Sequence, residues 1–139
     1  MPAFGSDITI NDGANTPVAK TFNPMQRDNL VAMYAEKSSG IPIGYVGLSV
    51  SNRAPTDLAK GVYKVRIKMY KPTLDVTSPS TGSGIQPAPS VAYTLQAVTD
   101  FFLPARSTLQ ERKDLLALQF NALNHATIKD VVWNLSNIF

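Results

Sequence analysis

The stretch VYKVRIKMYK, residues 62–71, alternates apolar and cationic side chains over its whole length. Successive side chains of a β-strand point to opposite faces, so this period of two predicts a strand. Its apolar face carries Tyr63, Val65, Ile67 and Met69. Its other face carries Lys64, Arg66 and Lys68. Taken alone, the pattern is typical of an antiparallel strand with a solvated basic face.

Positive charge is concentrated on this strand and the turn before it. The net charge of the chain is +3. From Arg53 to Lys71, six basic residues stand against one acid, which leaves +5, whereas the other seven basic and nine acidic residues leave −2. Positive charge focused on one strand and the turn before it favours a polyanionic partner such as nucleic acid.

Length and composition indicate one domain over residues 1–139, since this is near the commonest domain size. The 44% share of hydrophobic residues suffices for a core, and the lack of cysteine excludes disulfide and thiolate chemistry. The N-terminus lacks a charged region followed by an apolar run, so no secretion signal is expected. No apolar run approaches the ~18 residues of a membrane span, so we expect a soluble protein without a membrane partner.

The N-terminal segment, residues 1–25, reads as a hairpin. Two short alternating segments, 8–10 and 18–22, flank Asn11-Asp12-Gly13, whose Asp-Gly pair favours positive φ in a tight turn. Pro24 is expected to close the hairpin. A sheet is predicted over residues 29–103.

Three further segments supply the predicted sheet. Residues 29–35 fit a strand, with a short helix as the alternative. Residues 44–53 alternate, as do residues 91–103. The segment 72–90 lies between the predicted strands 62–71 and 91–103. It holds four prolines and two glycines, which predicts a long loop that is either functional or a disordered insertion.

After Pro104 the apolar period becomes helical and predicts two helices over residues 107–135. Thr108 and Glu111 fit a capping box, with Ser107 and Gln110 as the rival register. Asn124-His125 is expected to end the first helix, and Thr127 to cap the second. Strands followed by helices indicate an α+β fold.

Catalytic groups are scarce. The single histidine, His125, lies at a predicted helix end, where a dipole or capping role accounts for it. One histidine without cysteine makes a zinc site implausible. Gly82-Ser83-Gly84 lies in the proline-rich loop rather than in a strand-turn-helix context, so it is no phosphate cradle. We find no acid/base pair and predict no catalytic residue, no metal and no cofactor.

The ordered pattern resembles the coat proteins of single-stranded RNA bacteriophages of the levivirus type. The features that carry the resemblance are the Asn11-Asp12-Gly13 turn, the strands at 44–53 and 63–68, the long loop, the strand into Phe101-Phe102, two C-terminal helices and the terminal Asn137-Ile138-Phe139. The loop is longer and richer in proline than in the family, and the approach to the first helix is longer.

The resemblance implies an N-terminal β-hairpin, an antiparallel meander sheet and two C-terminal helices that pack on the partner subunit's sheet in a dimer. The two subunits of such a dimer would join edge to edge into one continuous sheet, and dimers would assemble into an icosahedral T=3 shell around genomic RNA. It further implies a virion protein made in the bacterial host cytoplasm. In several members the RNA-facing surface also binds an RNA hairpin and represses translation, and the loop meets its copies at the shell axes.

The candidate RNA-binding residues follow from charge and from position on the faces. Charge on the strand points to Lys64, Arg66 and Lys68, and position and face add Tyr45, Ser49, Ser51, Thr94 and Gln96. A small nucleic-acid-binding module outside any capsid is the alternative. A sheet that reads RNA stacks bases on several aromatic side chains, and here only Tyr45 and Tyr70 are candidates.

The helical stripe is predicted to be core. It consists of Leu116, Phe120, Ile128 and Val132, which we expect to bury against Leu48, Val50, Val65 and Ile67 of a sheet that belongs partly to the partner. Trp133 falls off the stripe and is either core or a subunit contact.

Overall fold

The computed structural model describes residues 4–75 and 88–139, which form a meander sheet followed by two helices. The strands are β1 (Ile8–Asn11), β2 (Ala19–Asp28), β3 (Val31–Glu36), β4 (Val46–Arg53), β5 (Val62–Leu74) and β6 (Val91–Pro104). The helices are α1 (Leu109–Leu123) and α2 (Ala126–Asn134), and a short 3-10 helix spans Pro42–Gly44. Neighbouring strands pair antiparallel in chain order. The predicted α+β architecture is therefore confirmed.

Pairing in this order separates two faces of the sheet. Leu48 lies opposite Met69 and Val50 opposite Ile67, and residues directly opposite each other share a face. This apolar face holds the core, in which Phe22, Tyr34 and Leu48 are buried. The opposite face, which carries Lys64, Arg66 and Lys68, is called the cationic face below.

The N-terminal hairpin differs from the prediction at its turn. Its connection runs from Asp12 to Val18, and Gly13 does not adopt positive φ. The Asp12 carboxylate instead accepts hydrogen bonds from the N–H groups of Val18 (2.9 Å) and Ala14 (3.1 Å), which lower the pKa of Asp12. A side chain that satisfies two backbone donors holds a longer loop and removes the need for a tight Asp-Gly turn.

Two prolines do not end strands where the sequence suggested. Pro24 lies inside β2, and a register shift between Pro24 and Gln26 absorbs it. Pro72 lies inside β5, which runs on to Leu74. The pairing of β5 with β4 ends at Tyr70, so Pro72 has a strand neighbour on one side only and its missing N–H is tolerated. Residues 76–87 of the predicted loop lie outside the described residues.

The ambiguous segment at 29–35 forms strand β3. It follows a turn in which Asn29 has φ +44°, a left-handed conformation that asparagine adopts more readily than most residues. Strand β4 begins at Val46 rather than at Gly44, because Gly44 still belongs to the 3-10 helix.

The first helix begins as predicted, and the second begins one residue before Thr127. In α1, the hydroxyl of Thr108 accepts from Glu111 N–H at 3.2 Å and Glu111 accepts from Thr108 N–H at 2.9 Å, which confirms the capping box. In α2 the cap is His125, whose Nδ1 accepts from Thr127 N–H at 3.3 Å. The prediction of Thr127 as cap is wrong because His125 is the last residue with extended backbone.

Within one chain the helical stripe is not buried. Leu116 is 57% exposed, Phe120 67% and Val132 66%. Near the start of α1, an apolar cavity of about 300 Å³ lies on the apolar face, lined by Val65, Ile67, Phe101, Leu103, Arg112, Lys113 and Leu116. Burial of the stripe against a partner's sheet thus stays a prediction. None of the helices in the described ranges has the length and apolar character of a bilayer span.

Candidate nucleic-acid interface

The strand register brings most of the predicted RNA-binding residues together. On the β4 side of β5, Lys68 lies opposite Ser49, and Arg66 lies opposite Ser51. On the β6 side, Tyr70 lies opposite Gln96 and Pro72 opposite Thr94. Seven of the predicted residues therefore share the cationic face, namely Lys64, Arg66, Lys68, Ser49, Ser51, Thr94 and Gln96.

Tyr45 is not brought into this group by the ladder. It precedes β4 as the residue after the 3-10 helix, where its N–H donates to the carbonyl oxygen of Pro42 at 3.3 Å. Its side chain is half-buried, and no strand pairing places it on the cationic face.

Arg66 and Asp100 form an ion pair on the cationic face. They lie directly opposite each other on β5 and β6. The guanidinium donates to both carboxylate oxygens, at 2.8 and 3.0 Å. These hydrogen bonds lower the pKa of Asp100 and raise that of Arg66. A guanidinium has five N–H donors, so Arg66 keeps donors for another acceptor, although its charge is partly neutralised.

Other cations of this face have no such partner. Arg53 lies opposite Lys64 at one end of the β4–β5 ladder. Within residues 4–75 and 88–139, Arg66–Asp100 is the single ion pair, so no carboxylate there lies within ion-pairing distance of Arg53, Lys64 or Lys68. The local field of the face is therefore positive on both sides of the pair, as a polyanion requires.

Two aromatic side chains stand on the same face, and one of them was missed from the sequence. The Nζ of Lys64 lies 5.6 Å from the ring centroid of Phe102, which is 61% exposed. Phe102 lies opposite Lys64, and only the β5–β6 register reveals this. The second aromatic is Tyr70, whose ring covers Gly47: a Cβ built on Gly47 would overlap it.

The described residues contain no cluster of three potential metal ligands among histidine, cysteine and acidic side chains. The chemistry available on the cationic face is therefore that of ammonium and guanidinium donors, hydroxyl and amide groups and aromatic rings. These groups bind phosphate oxygens, base edges and base faces.

Comparisons with known proteins cover nearly the whole chain. The family model described as "Levivirus coat protein" matches residues 3–139. The capsid protein of Pseudomonas phage PRR1 is 30% identical over 136 residues, which is 96% of this chain and 97% of that protein. The structure is similar to the virus-like particle of bacteriophage ESE058, at 33% identity and a TM-score of 0.88 over 96% of this chain and 98% of the other. That of bacteriophage NT-214 has 28% identity and a TM-score of 0.83 over the same shares.

Proposed function

The chain belongs to the levivirus coat protein family, and from this premise we propose that it dimerises, assembles into an icosahedral shell and packages single-stranded RNA against its cationic face. The family is structural, so the role is that of a capsid protein of the virion and the prediction that the chain is not an enzyme is confirmed. Membership also favours this role over a small nucleic-acid-binding module. In this proposal the subunit is made in the bacterial host cytoplasm.

The open edge of β6 supports the dimer. β6 is the last strand of the sheet, pairs only with β5 in the described chain and is 14 residues long. Tyr93 and Leu95 on this strand are each 59% exposed. A long open edge with apolar side chains invites pairing with another chain, and two identical edges close on each other by two-fold symmetry. Two β6 strands would then join the sheets of two subunits.

The exposed helices support the same dimer. Leu116, Phe120 and Val132 leave an apolar stripe in solvent, while the apolar face keeps a cavity between Ile67 and Phe101. Contiguous apolar surface of this kind marks an interaction site. In an edge-to-edge dimer the helices of each subunit would cover the partner's apolar face, and the cationic faces would stay open on the other side.

The single observation that carries RNA packaging is the grouping of Lys64, Arg66 and Lys68 on the face opposite the core. Ammonium and guanidinium groups contact phosphate without regard to sequence. The hydroxyl and amide groups of Ser49, Ser51, Thr94 and Gln96 would add contacts to sugars, phosphates and base edges. Tyr45 remains the weakest member because it lies outside the ladder.

The test replaces Lys64, Arg66 and Lys68 together by Gln in the full chain. We expect particles with less RNA, read from the 260/280 nm absorbance ratio, and a lower affinity of unassembled protein for single-stranded RNA. The slope of log K against log salt should shrink by about 0.7 for each phosphate that the variant no longer neutralises. A charge-matched control replaces Lys20, Lys37 and Lys129, which lie outside the cationic face of β4–β6. Equal RNA content in both triple variants would refute the assignment.

The dimer's joined cationic face would also bind a genomic RNA hairpin and repress translation. A reporter gene placed behind candidate hairpins of the cognate genome should be repressed by the wild type and released by the Gln triple variant. Full expression of every reporter beside normal RNA packaging would restrict the function to encapsidation.

A further inference from the structure

Tyr70 has an unusual place on the cationic face. It lies on β5 between Lys68 and Pro72, directly opposite Gly47 of β4 and Gln96 of β6. Because a Cβ at position 47 would overlap the Tyr70 ring, only glycine lets the ring lie across β4 at this point. Gly47 is buried, while Tyr70 stays 43% exposed.

This arrangement fixes an aromatic surface in advance. The β4 backbone supports the ring from below, so few of its orientations remain open and little conformational entropy is lost when a ligand binds. The remainder of the ring faces the space on the cationic side of the sheet. Aromatic rings held on such a sheet bind bases of single strands by stacking, without regard to base identity.

The neighbours of Tyr70 suit the other parts of a nucleotide. Gln96, across the ladder, offers an amide donor and acceptor to a base edge. Lys68 is the next residue on the same face of β5 and offers an ammonium group to a phosphate. Ser49, opposite Lys68, adds a hydroxyl group. A stacking surface, an edge-reading amide and a cation thus lie side by side.

We propose that Tyr70, supported by Gly47, is a stacking platform for one unpaired nucleobase of single-stranded RNA, with Gln96 at the base edge and Lys68 at its phosphate. This inference rests on RNA binding by the cationic face and adds to it a contact to a base. The competing explanation is that Tyr70 only fills the space above Gly47 as packing.

Two conservative variants separate stacking from packing. Tyr70→Phe keeps an aromatic ring over Gly47, whereas Tyr70→Leu keeps apolar bulk without a π-face. The probes are a short unstructured uridine-rich RNA and an abasic strand of the same length, each titrated against unassembled full-length protein. We expect Tyr70→Phe to bind like the wild type, and Tyr70→Leu to lose roughly 10-fold in affinity for the RNA but nothing for the abasic strand. Equal RNA binding by the Phe and Leu variants would overturn the platform.

A Lys68→Gln arm distinguishes this failure from failure of RNA binding itself. That variant should weaken binding of both probes. If Lys68→Gln weakens both while Tyr70→Leu changes neither, the cationic face binds RNA and the platform is wrong. If neither variant nor the Gln triple variant changes binding, the proposed RNA-binding function is wrong.

A measurement on unmutated protein covers the case in which Tyr70→Leu does not fold. Particles reassembled around RNA that contains 5-bromouridine are irradiated and digested, and the cross-linked peptides are mapped. We expect a cross-link at Tyr70. Cross-links confined to other peptides would overturn the proposal.

Discussion

Arg66 and Asp100 face each other across β5 and β6 as a two-pronged ion pair, in which Nε donates to Oδ1 at 2.8 Å and Nη2 to Oδ2 at 3.0 Å. Exposed ion pairs contribute little to stability, so the consequence of this pair lies in the charge of the face. It neutralises one of three predicted phosphate ligands and fixes the plane of its guanidinium. If the cationic face binds RNA as proposed, Asp100 would limit how strongly Arg66 contributes to that binding.

The first prediction concerns Asp100→Asn. The change removes the negative charge and one strong acceptor, so Arg66 becomes free to contact phosphate. We expect tighter binding of single-stranded RNA and a salt slope steeper by about 0.7, the value for one added phosphate contact. Asp28→Asn, at the end of β2, makes the same change in charge away from Arg66. An unchanged slope in Asp100→Asn would contradict the prediction, because the number of phosphates neutralised would then not depend on the pairing of Arg66.

The second prediction concerns acid. Because Arg66 lowers the pKa of Asp100, the pair adds stability above the unfolded pKa of aspartate, near 3.9, and loses it as the pH falls through the lower folded pKa. We expect the Asp100 carboxyl resonance in NMR to titrate below the ordinary range. The shift should shrink in Arg66→Gln, which has no charge to stabilise the carboxylate. Titration of wild-type Asp100 at the ordinary value would contradict the ion pair in solution.

The sequence predicted the two faces of β5 because alternation is a local property. Residues 62–71 need no knowledge of their neighbours to separate Ile67 from Lys68. Alternation does not give the partners across the ladder, because register depends on pairing between distant segments. Asp100 could be assigned to the cationic face from the sequence, but its position opposite Arg66 could not. Phe102 beside Lys64 was missed for the same reason.

Local signals failed where a distant group competed with them. The Asp12-Gly13 pair favours a tight turn, yet the Asp12 carboxylate is satisfied by the N–H of Val18 and a longer loop results. At the start of α2, Thr127 has a side chain suitable for an N-cap. The helix begins one residue before it, however, and the Nδ1 of His125 accepts from the N–H of Thr127. The apolar stripe of α1 was predictable from its period, but within the described chain it stays exposed, so its burial against a partner remains a prediction.

The third prediction concerns Phe120→Ala. Phe120 is 67% exposed in the single chain, so its truncation removes little buried area within the subunit. If the partner's sheet covers Phe120, its truncation costs as much as that of a core aromatic, about 3–5 kcal/mol. This cost lowers the stability of the dimer rather than that of the single subunit. We expect analytical ultracentrifugation to show the variant dimer dissociating at protein concentrations far above those at which the wild-type dimer dissociates. We also expect few particles to form. Asn121→Ala, also exposed on α1, is the matched control. Equal assembly of the two variants would place Phe120 outside the interface.

The last prediction concerns the open edge of β6. In an antiparallel ladder only alternate residues of an edge strand bond to their single neighbour, so half of the β6 amides between Ala97 and Asp100 donate to β5 and the others face the edge. If two β6 strands join, the edge-facing amides gain acceptors. We expect residue-resolved hydrogen exchange to show all of these amides protected in assembled protein, and alternating protection in subunits dissociated by Phe120→Ala. The amides of β4, which has neighbours on both sides, should stay protected throughout and serve as the internal control. Fast exchange of alternate β6 amides in intact particles would mean that the helices alone join the subunits, since an edge paired along its length leaves no donor open to water.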